Sequence, residues 1–373
     1  MAKILVVSNL EKGVGISKYV VDTYSEITNQ YPEINIDILN DVERNDYKRE
    51  LEKLKIKTFS IPKLTRHPFG YLFQWVFFLL KNKEKYDAIH FHYDSMVRFF
   101  PILVASMVGY KNIIVHSHNG SSSVVVNSKV RLLLHNIGKR VCNNRIDYKF
   151  AVSDKAAEWM FISSDKVKII HNGVNTVRFG FNSDKREKVR HELGISNDNI
   201  MIGHVGRFKD QKNHIFLLQI FASIVKDLPK ARLFLIGIGP LMEQMENLSK
   251  QLNIDKNVVF LGQRSDVDEL VSGMDLMIFP SLYEGFPITL VEAQCSGVPI
   301  LYSDQITKSI GLIKTTQSES LNNTPNQWAQ HAEKILKSVD NDSRLHASEL
   351  VQLAGFDLKM EASKMALFYL NLK

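Results

Sequence analysis

Short apolar runs rich in β-branched residues alternate with helix-length stretches along this chain, and they do so in two successive series. In the first, Ile4–Val7, Ile34–Leu39, Lys57–Ile61, Ala88–Phe91, Ile113–Val115, Phe150–Val152 and Val167–Ile170 read as strands, with helices such as Ser17–Thr28, Phe69–Leu80, Val97–Val108 and Val130–Cys142 between them. In the second, Ile200–Val205, Arg232–Ile236, Val258–Leu261, Leu276–Phe279 and Pro299–Tyr302 read as strands, separated by helices at Asn213–Asp227, Leu241–Leu252, Asp266–Gly273 and Ile288–Ser296. A strand covered on both faces needs apolar side chains pointing both ways, so continuous runs mark parallel sheets with helices on each side. The fold class is therefore α/β, with two Rossmann-like, doubly wound parallel-sheet domains in series. We set the domains at 1–178 and 179–356, with His171–Asn175 and the polar run Phe181–Arg190 marking the passage, and read a polar loop around Thr315–Pro325. Ligands on open α/β sheets bind beyond the carboxyl ends of the strands, so two facing sheets predict an interdomain cleft.

Composition narrows the function classes. The 373 residues are 45% hydrophobic and 23% charged, enough apolar material for two cores. Two cysteines, Cys142 and Cys295, lie far apart without ligand-like spacing, which fits a reducing cytoplasm and argues against structural zinc. The apolar run at the N-terminus is too short for a signal peptide. The most apolar window, Tyr71–Leu80, is about half the ~20 residues a membrane span needs. The net charge of +7 is uneven: residues 1–178 carry +9 and the remainder −2. That asymmetry points to an anionic partner for the first half, a lipid surface or an acidic substrate rather than nucleic acid, against the plain alternative of solubilising lysines.

Chemistry-bearing residues cluster after the strands. Beyond Leu276–Phe279, Glu284 falls in a strand-to-helix loop, and Pro287 is pre-set for the first turn of a helix that carries Glu292. The amides of Thr289 and Leu290 are expected to point outward at the positive end of that helix, beside two carboxylates, a set suited to an anionic, hydroxyl-rich ligand. Taken alone, such a pair of glutamates is more often a solvated loop and helix face. Arg207 and Lys212 flank a turn after Val205, and a guanidinium plus an ammonium is what a diphosphate needs where no metal neutralises it. Gly13 and Gly15 make a glycine turn after the first strand, as readily structural as phosphate-contacting, and without the full dinucleotide fingerprint.

His90 and His92, with His116 and His118, form two H-x-H pairs. A strand puts each pair on one face, but no carboxylate or cysteine stands near to complete a metal site, so we assign no metal. One histidine of the second pair is expected to pack in the sheet crevice, with His118 reaching outward. Asp266 and Asp268 look like a D-x-D metal motif, yet their place at a helix N-terminus favours complementing the helix dipole, with Ser265 or Asp266 as cap.

These segments resemble the bacterial retaining glycosyltransferases of family four with the GT-B fold, of the exopolysaccharide and capsule type. The resemblance is carried, over nearly the full length, by HSHNG at 116–120, AVSDKAAEWMF at 151–161, IIHNGVNTVRF at 169–179, GHVGRFKDQKNH at 203–214, LIGIGPL at 235–241, VVFLGQRSDVDEL at 258–270 and SLYEGFPITLVEAQCSGVPILYSDQIT at 281–307. It implies that Arg207 and Lys212 grip the diphosphate of a nucleotide-sugar donor, that Glu284 bonds donor-sugar hydroxyls and Glu292 the ribose, and that His118 lies against the transferred sugar. Gly13 and Gly15 would approach the phosphate or the acceptor, Gln263 and Arg264 would flank the base, and Gly285 and Phe286 would complete the donor loop. The first glycine turn departs from the usual adjacent pair, since Lys12 precedes Gly13. The resemblance also implies a C-terminal helix, within 357–373, packing back on the first domain.

The expected activity is metal-independent, cofactor-free transfer of a hexose or N-acetylhexosamine, with uridine as the preferred base, to a saccharide or lipid-linked acceptor. The expected place is the cytoplasm, with a peripheral contact on the inner membrane face that rests on the charge asymmetry and on Lys63, Arg66 and His67 more than on Phe73, Trp75, Phe77 and Phe78; the opposing reading is that Phe69–Leu80 is simply a helix packed on the sheet. A sugar-nucleotide epimerase, a phosphorylase or a non-catalytic partner subunit on the same architecture remain alternatives; acceptor-dependent release of nucleotide diphosphate separates transferase from epimerase, and titration with uridine and guanosine diphosphates beside a turnover assay tests the non-catalytic reading.

Overall fold

The computed structural model describes residues 1–62, 67–196, 198–284, 286–338 and 344–372. Lys63 and Arg66 of the expected membrane contact, and Gly285 of the expected donor loop, lie outside the described residues. The chain divides into two compact units, Met1–Gly173 with Leu358–Lys373, and Val174–Asp357.

The first unit holds seven parallel strands: β1 (Ala2–Leu10), β2 (Ile34–Asn45), β3 (Lys57–Ser60), β4 (Ala88–Tyr93), β5 (Ile113–Ser117), β6 (Tyr148–Ala151) and β7 (Val167–Ile169), in the order β3-β2-β1-β4-β5-β6-β7. β1 shows why its run is continuously apolar. Ile4 and Val6 face a layer containing Tyr24 and Ile36, while Leu5 and Val7 face Trp75 and Phe91 on the other side. The Leu358–Leu370 helix lies in this unit, with Ala362, Met365, Ala366 and Tyr369 in the same core cluster as Ile4 and Tyr24.

The Pro68–Asn82 helix divides its aromatic residues between the two readings left open by the sequence. Tyr71, Trp75 and Leu79, four residues apart, form its buried stripe, and Phe78 packs on Phe59. Trp75 is thus a core residue and Phe78 is partly buried against the same core, because the 3.6-residue period turns them inward. Phe69, Phe73 and Phe77 remain exposed, at 86%, 70% and 55%.

The second unit has six parallel strands: β8 (Ile200–Val205), β9 (Ala231–Ile236), β10 (Val258–Gly262), β11 (Leu276–Phe279), β12 (Ile300–Ser303) and β13 (Thr316–Glu319), in the order β10-β9-β8-β11-β12-β13. β13 falls inside the stretch expected to be a polar loop. It is an edge strand paired only with β12, and its sequence TQSE carries no apolar alternation from which a strand is read. Strand order reverses between β1 and β4 and between β8 and β11, and the carboxyl ends beside those points are where such sheets receive ligands. No helix among the described residues is long and apolar enough to cross a membrane.

Candidate active site

In the second unit the site is built by the loops that follow β8 and β11. The turn after β8 is fixed by close backbone approach. A Cβ on Gly237, whose φ is +141°, would lie 2.1 Å from the Gly206 carbonyl oxygen, so only glycine lets the loops after β8 and β9 meet. Arg207, in that turn, is exposed and has no carboxylate partner among the described residues. Asn213 then adopts left-handed backbone at φ +54° at the cap position of the His214–Asp227 helix, where its side chain makes no cap bond and instead donates to the Pro280 carbonyl over 3.2 Å, tying this loop to the end of β11.

That tie brings Lys212 and Glu284 together. Lys212 Nζ lies 2.6 Å from Glu284 Oε1 and 4.4 Å over the Phe279 ring, with the two side chains 16% and 10% exposed. Gln211 Nε2 donates to Glu284 Oε2 over 3.2 Å and to the Tyr283 carbonyl over 3.0 Å. An ion pair so withdrawn from water persists because each charge is matched. Each carboxylate oxygen still has a lone pair for a ligand hydroxyl. Gln211 is a contributor the sequence reading passed over, although it stands directly before Lys212 in a stretch read only for its cations.

Glu292 is buried on the Ile288–Cys295 helix, close enough to Cys295 to add to the rise in thiol pKa that burial chiefly causes. Pro287 occupies the cap position of this helix rather than its first turn. The Leu290 amide is not free as expected. It donates to the Pro287 carbonyl over 3.0 Å, because the first turn closes in the tighter 3₁₀ manner. Thr289 remains as a first-turn amide at that end. Phe286 stacks on Phe356 at 5.1 Å and is partly buried against the core of the second unit, which anchors the loop that carries it.

Gln263 is exposed, whereas Arg264 is committed, forking onto Asp266 (2.8 and 2.5 Å) and reaching Glu192 (3.0 Å). Asp266 stands at the cap position of the Val267–Gly273 helix but makes no side-chain cap bond, since Arg264 takes its carboxylate and holds its pKa low. Asp268 is buried. Burial alone would raise its pKa, but contacts of 2.7 Å with both Lys185 and Arg178 bring it below the usual range. Both acids of the D-x-D stretch thus pair with cations of their own unit.

In the first unit, Gly13 sits at φ +78°, a conformation glycine adopts without strain, while a Cβ on Gly15 would meet nothing within 4 Å. The helix that follows, Gly15–Gln30, has no side-chain cap and no acidic residue in its first turn. His90, His92 and His116 stack across β4 and β5, with His118 just beyond β5. His118 does not reach into the open: it is 5% exposed, its Nε2 lies 2.9 Å from His92 Nδ1, and Tyr19 covers it at 4.8 Å. Burial pushes its pKa down to about 3. Tyr19, Tyr24 and Tyr369, which close around these rings, carry no local motif and were not legible as site residues.

Ligand atoms of His90, His92 and His116 lie within 4.8 Å of one another, a grouping that invites a metal. His92, however, has both ring nitrogens hydrogen-bonded, and the rings of His90 and His92 lie stacked side by side, 4.2 Å apart, rather than converging on a point. The donor set does not fit a tetrahedral ion.

Residues 185–350 match the glycosyl transferases group 1 family. The chain is 29% identical to the "Putative glycosyltransferase EpsF" of Bacillus subtilis, covering 98% of this chain and 95% of that protein. It is 24% identical, over 60% of this chain and 59% of the other, to the UDP-Gal:alpha-D-GlcNAc-diphosphoundecaprenol alpha-1,3-galactosyltransferase of Escherichia coli. Among solved structures, Anabaena Alr3699/HepE in complex with UDP superposes with a TM-score of 0.80 at 18% identity, covering 100% of both chains. With two doubly wound units and this run of similarities, the chain is a GT-B-fold glycosyltransferase related to the group 1, family-four enzymes.

Proposed function

We propose that this glycosyltransferase moves a hexose or N-acetylhexosamine from a UDP-sugar to a lipid-linked saccharide acceptor, with retention at the anomeric carbon, in exopolysaccharide or capsule assembly. The observation that carries the reading is the Lys212–Glu284 pair, with Arg207 exposed in the turn before it. Lys212 and Arg207 neutralise the donor diphosphate, Glu284 accepts from donor-sugar hydroxyls, Glu292 holds the ribose and His118 lies against the transferred sugar. The exposed Gln263 flanks the base. The acceptor hydroxyl attacks the anomeric carbon on the face the diphosphate leaves; the C–O bond to phosphate breaks with its electron pair, and a phosphate oxygen takes the acceptor's proton. Preorganised donors on such a leaving group contribute ~2.7–4 kcal/mol each.

The relatives support the partners. One is named for a UDP-galactose donor and a diphosphoundecaprenol acceptor. Exposed Phe69, Phe73 and Phe77, followed by Lys81 and Lys83, support a peripheral contact with an anionic cytoplasmic membrane surface. The test is a donor screen with a mass-tagged lipid-diphosphate saccharide acceptor in excess chelator. Transfer is expected with a UDP-sugar and unchanged by EDTA. Donor hydrolysis or epimerisation without acceptor overturns the reading, and loss of activity in EDTA restored by manganese overturns its metal-independence.

A further inference from the structure

The four histidines of the first sheet use their ring nitrogens differently. His92 has both engaged, Nε2 at 2.8 Å from Tyr24 Oη and Nδ1 at 2.9 Å from His118 Nε2. His90 engages only Nδ1, 2.5 Å from Tyr369 Oη and 3.0 Å from Tyr24 Oη, and the two tyrosine oxygens are 2.7 Å apart. Among the described residues His90 Nε2 and His118 Nδ1 have no partner, and His116, unpartnered at both nitrogens, stands outside the line.

Burial keeps His90, His92 and His118 neutral, so each carries one proton, and its position follows from what each neighbour can accept. A sealed N–H with no acceptor is rarer and costlier than a bare acceptor nitrogen. His90 is fully sealed, so its proton belongs on Nδ1, where the Tyr369 oxygen accepts it. Tyr369 then donates to Tyr24, and Tyr24 to His92 Nε2. The His92 proton is left on Nδ1 and bonds His118 Nε2, which leaves the His118 proton on Nδ1. The opposite polarity would strand an N–H on His90 inside the sheet. This one leaves it on His118 Nδ1, a nitrogen equally buried and unpartnered, but on the ring just beyond β5, at the strand ends where such sheets receive ligands, so that a ligand oxygen reached by displacing the Tyr19 cover would complete it.

We propose that Tyr24 and His92 are positioning residues that hold His118 in its Nδ1–H tautomer, so that His118 meets its ligand as a neutral donor to an oxygen atom. The ligand being the donor sugar rests on the function proposed above; the line itself lies wholly in the first unit.

Long-range ¹⁵N–¹H spectra of the full chain labelled at histidine, with the His118 signals assigned by their loss in His118→Gln, read the tautomer directly. The unsubstituted protein is expected to show His118 protonated at Nδ1 and bare at Nε2. Tyr24→Phe keeps the ring but removes the donor to His92; both His118 tautomers are then expected, with kcat down about tenfold, the scale of one hydrogen bond, and UDP affinity unchanged. An Nε2–H tautomer in the unsubstituted protein overturns the proposal even if Tyr24→Phe does not fold, and so does a tautomer that Tyr24→Phe leaves unaltered. A changed tautomer with unchanged turnover upholds the line and overturns the placing of His118 against the sugar.

Discussion

The two sheets run in the same way and present their chemistry at the same kind of place, yet they furnish it with opposite materials. On β4 and β5 and just beyond them the first unit offers neutral imidazoles, bonded through buried tyrosine hydroxyls of the two helices that cover them. Beyond β8 and β11 the second offers a lysine–glutamate ion pair and an exposed arginine. The difference follows from depth. A buried charge costs several kcal/mol unless paired, so the sealed end is built from groups that carry none, while the end nearer solvent matches its withdrawn charges and leaves Arg207 in water. Neutral donors suit sugar oxygens, and cations suit a diphosphate.

The largest effect is expected at Glu284, whose carboxylate holds Lys212. Glu284→Ala is expected to lower turnover by roughly 10²–10³-fold, the scale of losing an interaction made to the reacting sugar. UDP should bind as well as before or better, because Lys212 is released from its 2.6 Å partner. Glu292→Ala should instead weaken UDP binding. Calorimetric titration of both variants with UDP, beside a turnover assay, separates them. Equal loss of UDP affinity in the two would mean that Glu284 does not belong to the sugar.

How far the sequence reached depends on the distance over which a feature is encoded. Parallel strands advertise themselves as continuous apolar runs, so among the described residues twelve of the thirteen strands were legible and polar, edge-lying β13 was missed. Lys212 and Glu284 were singled out separately by their loops, but not as partners, since 72 residues separate them. The Leu290 amide was misread because helix-start rules do not say whether the first turn closes as α or 3₁₀. That the Phe286 ring stacks on Phe356, 70 residues on, was not legible from the loop alone. Tyr369 meets Tyr24 across 345 residues, a distance at which no local pattern survives.

A smaller effect is expected from acid. His90, His92, His116 and His118 have folded-state pKa values pushed below the usual 6.5 by burial, His118 to about 3. The unfolded chain therefore binds more protons than the folded one between about pH 3 and 6.5, so stability rises with pH through that window and is lost as pH falls. Each such histidine contributes at most ~1.4 kcal/mol per pH unit. The second unit buries two comparable rings, His204 and His214, so the first unit should loosen earlier. Limited proteolysis at pH 5 should cut within residues 88–118 before 200–303. His116→Leu removes a ring whose nitrogens are unpartnered, and should shrink the fall in Tm between pH 7 and 5 by roughly 2–4 °C per kcal/mol retained. An unchanged pH dependence would show that the cluster is not the acid-sensitive element.

The smallest effect concerns the outer surface, where the halves of the chain also differ: +9 for residues 1–178 against −2 for the rest. On the Pro68–Asn82 helix, Phe73 and Phe77 face outward and stack on each other at 6.2 Å, with Lys81 near the Phe77 ring. Aromatic rings beside lysines suit the headgroup region of an anionic bilayer, where each basic residue contributes ~1 kcal/mol that salt screens. The full chain is expected to sediment with phosphatidylglycerol vesicles at low salt and to be released as salt rises. Charge and rings can be separated, because Lys63→Glu with Arg66→Glu should weaken binding more than Phe73→Ser with Phe77→Ser, the latter by a few-fold. The exposed rings leave the core untouched, since Tyr71, Trp75 and Leu79 hold the helix down, so the serine variant should keep its Tm. Equal partitioning onto neutral and anionic vesicles would remove the electrostatic basis for docking, and binding unaltered by the serines would assign the contact to charge alone.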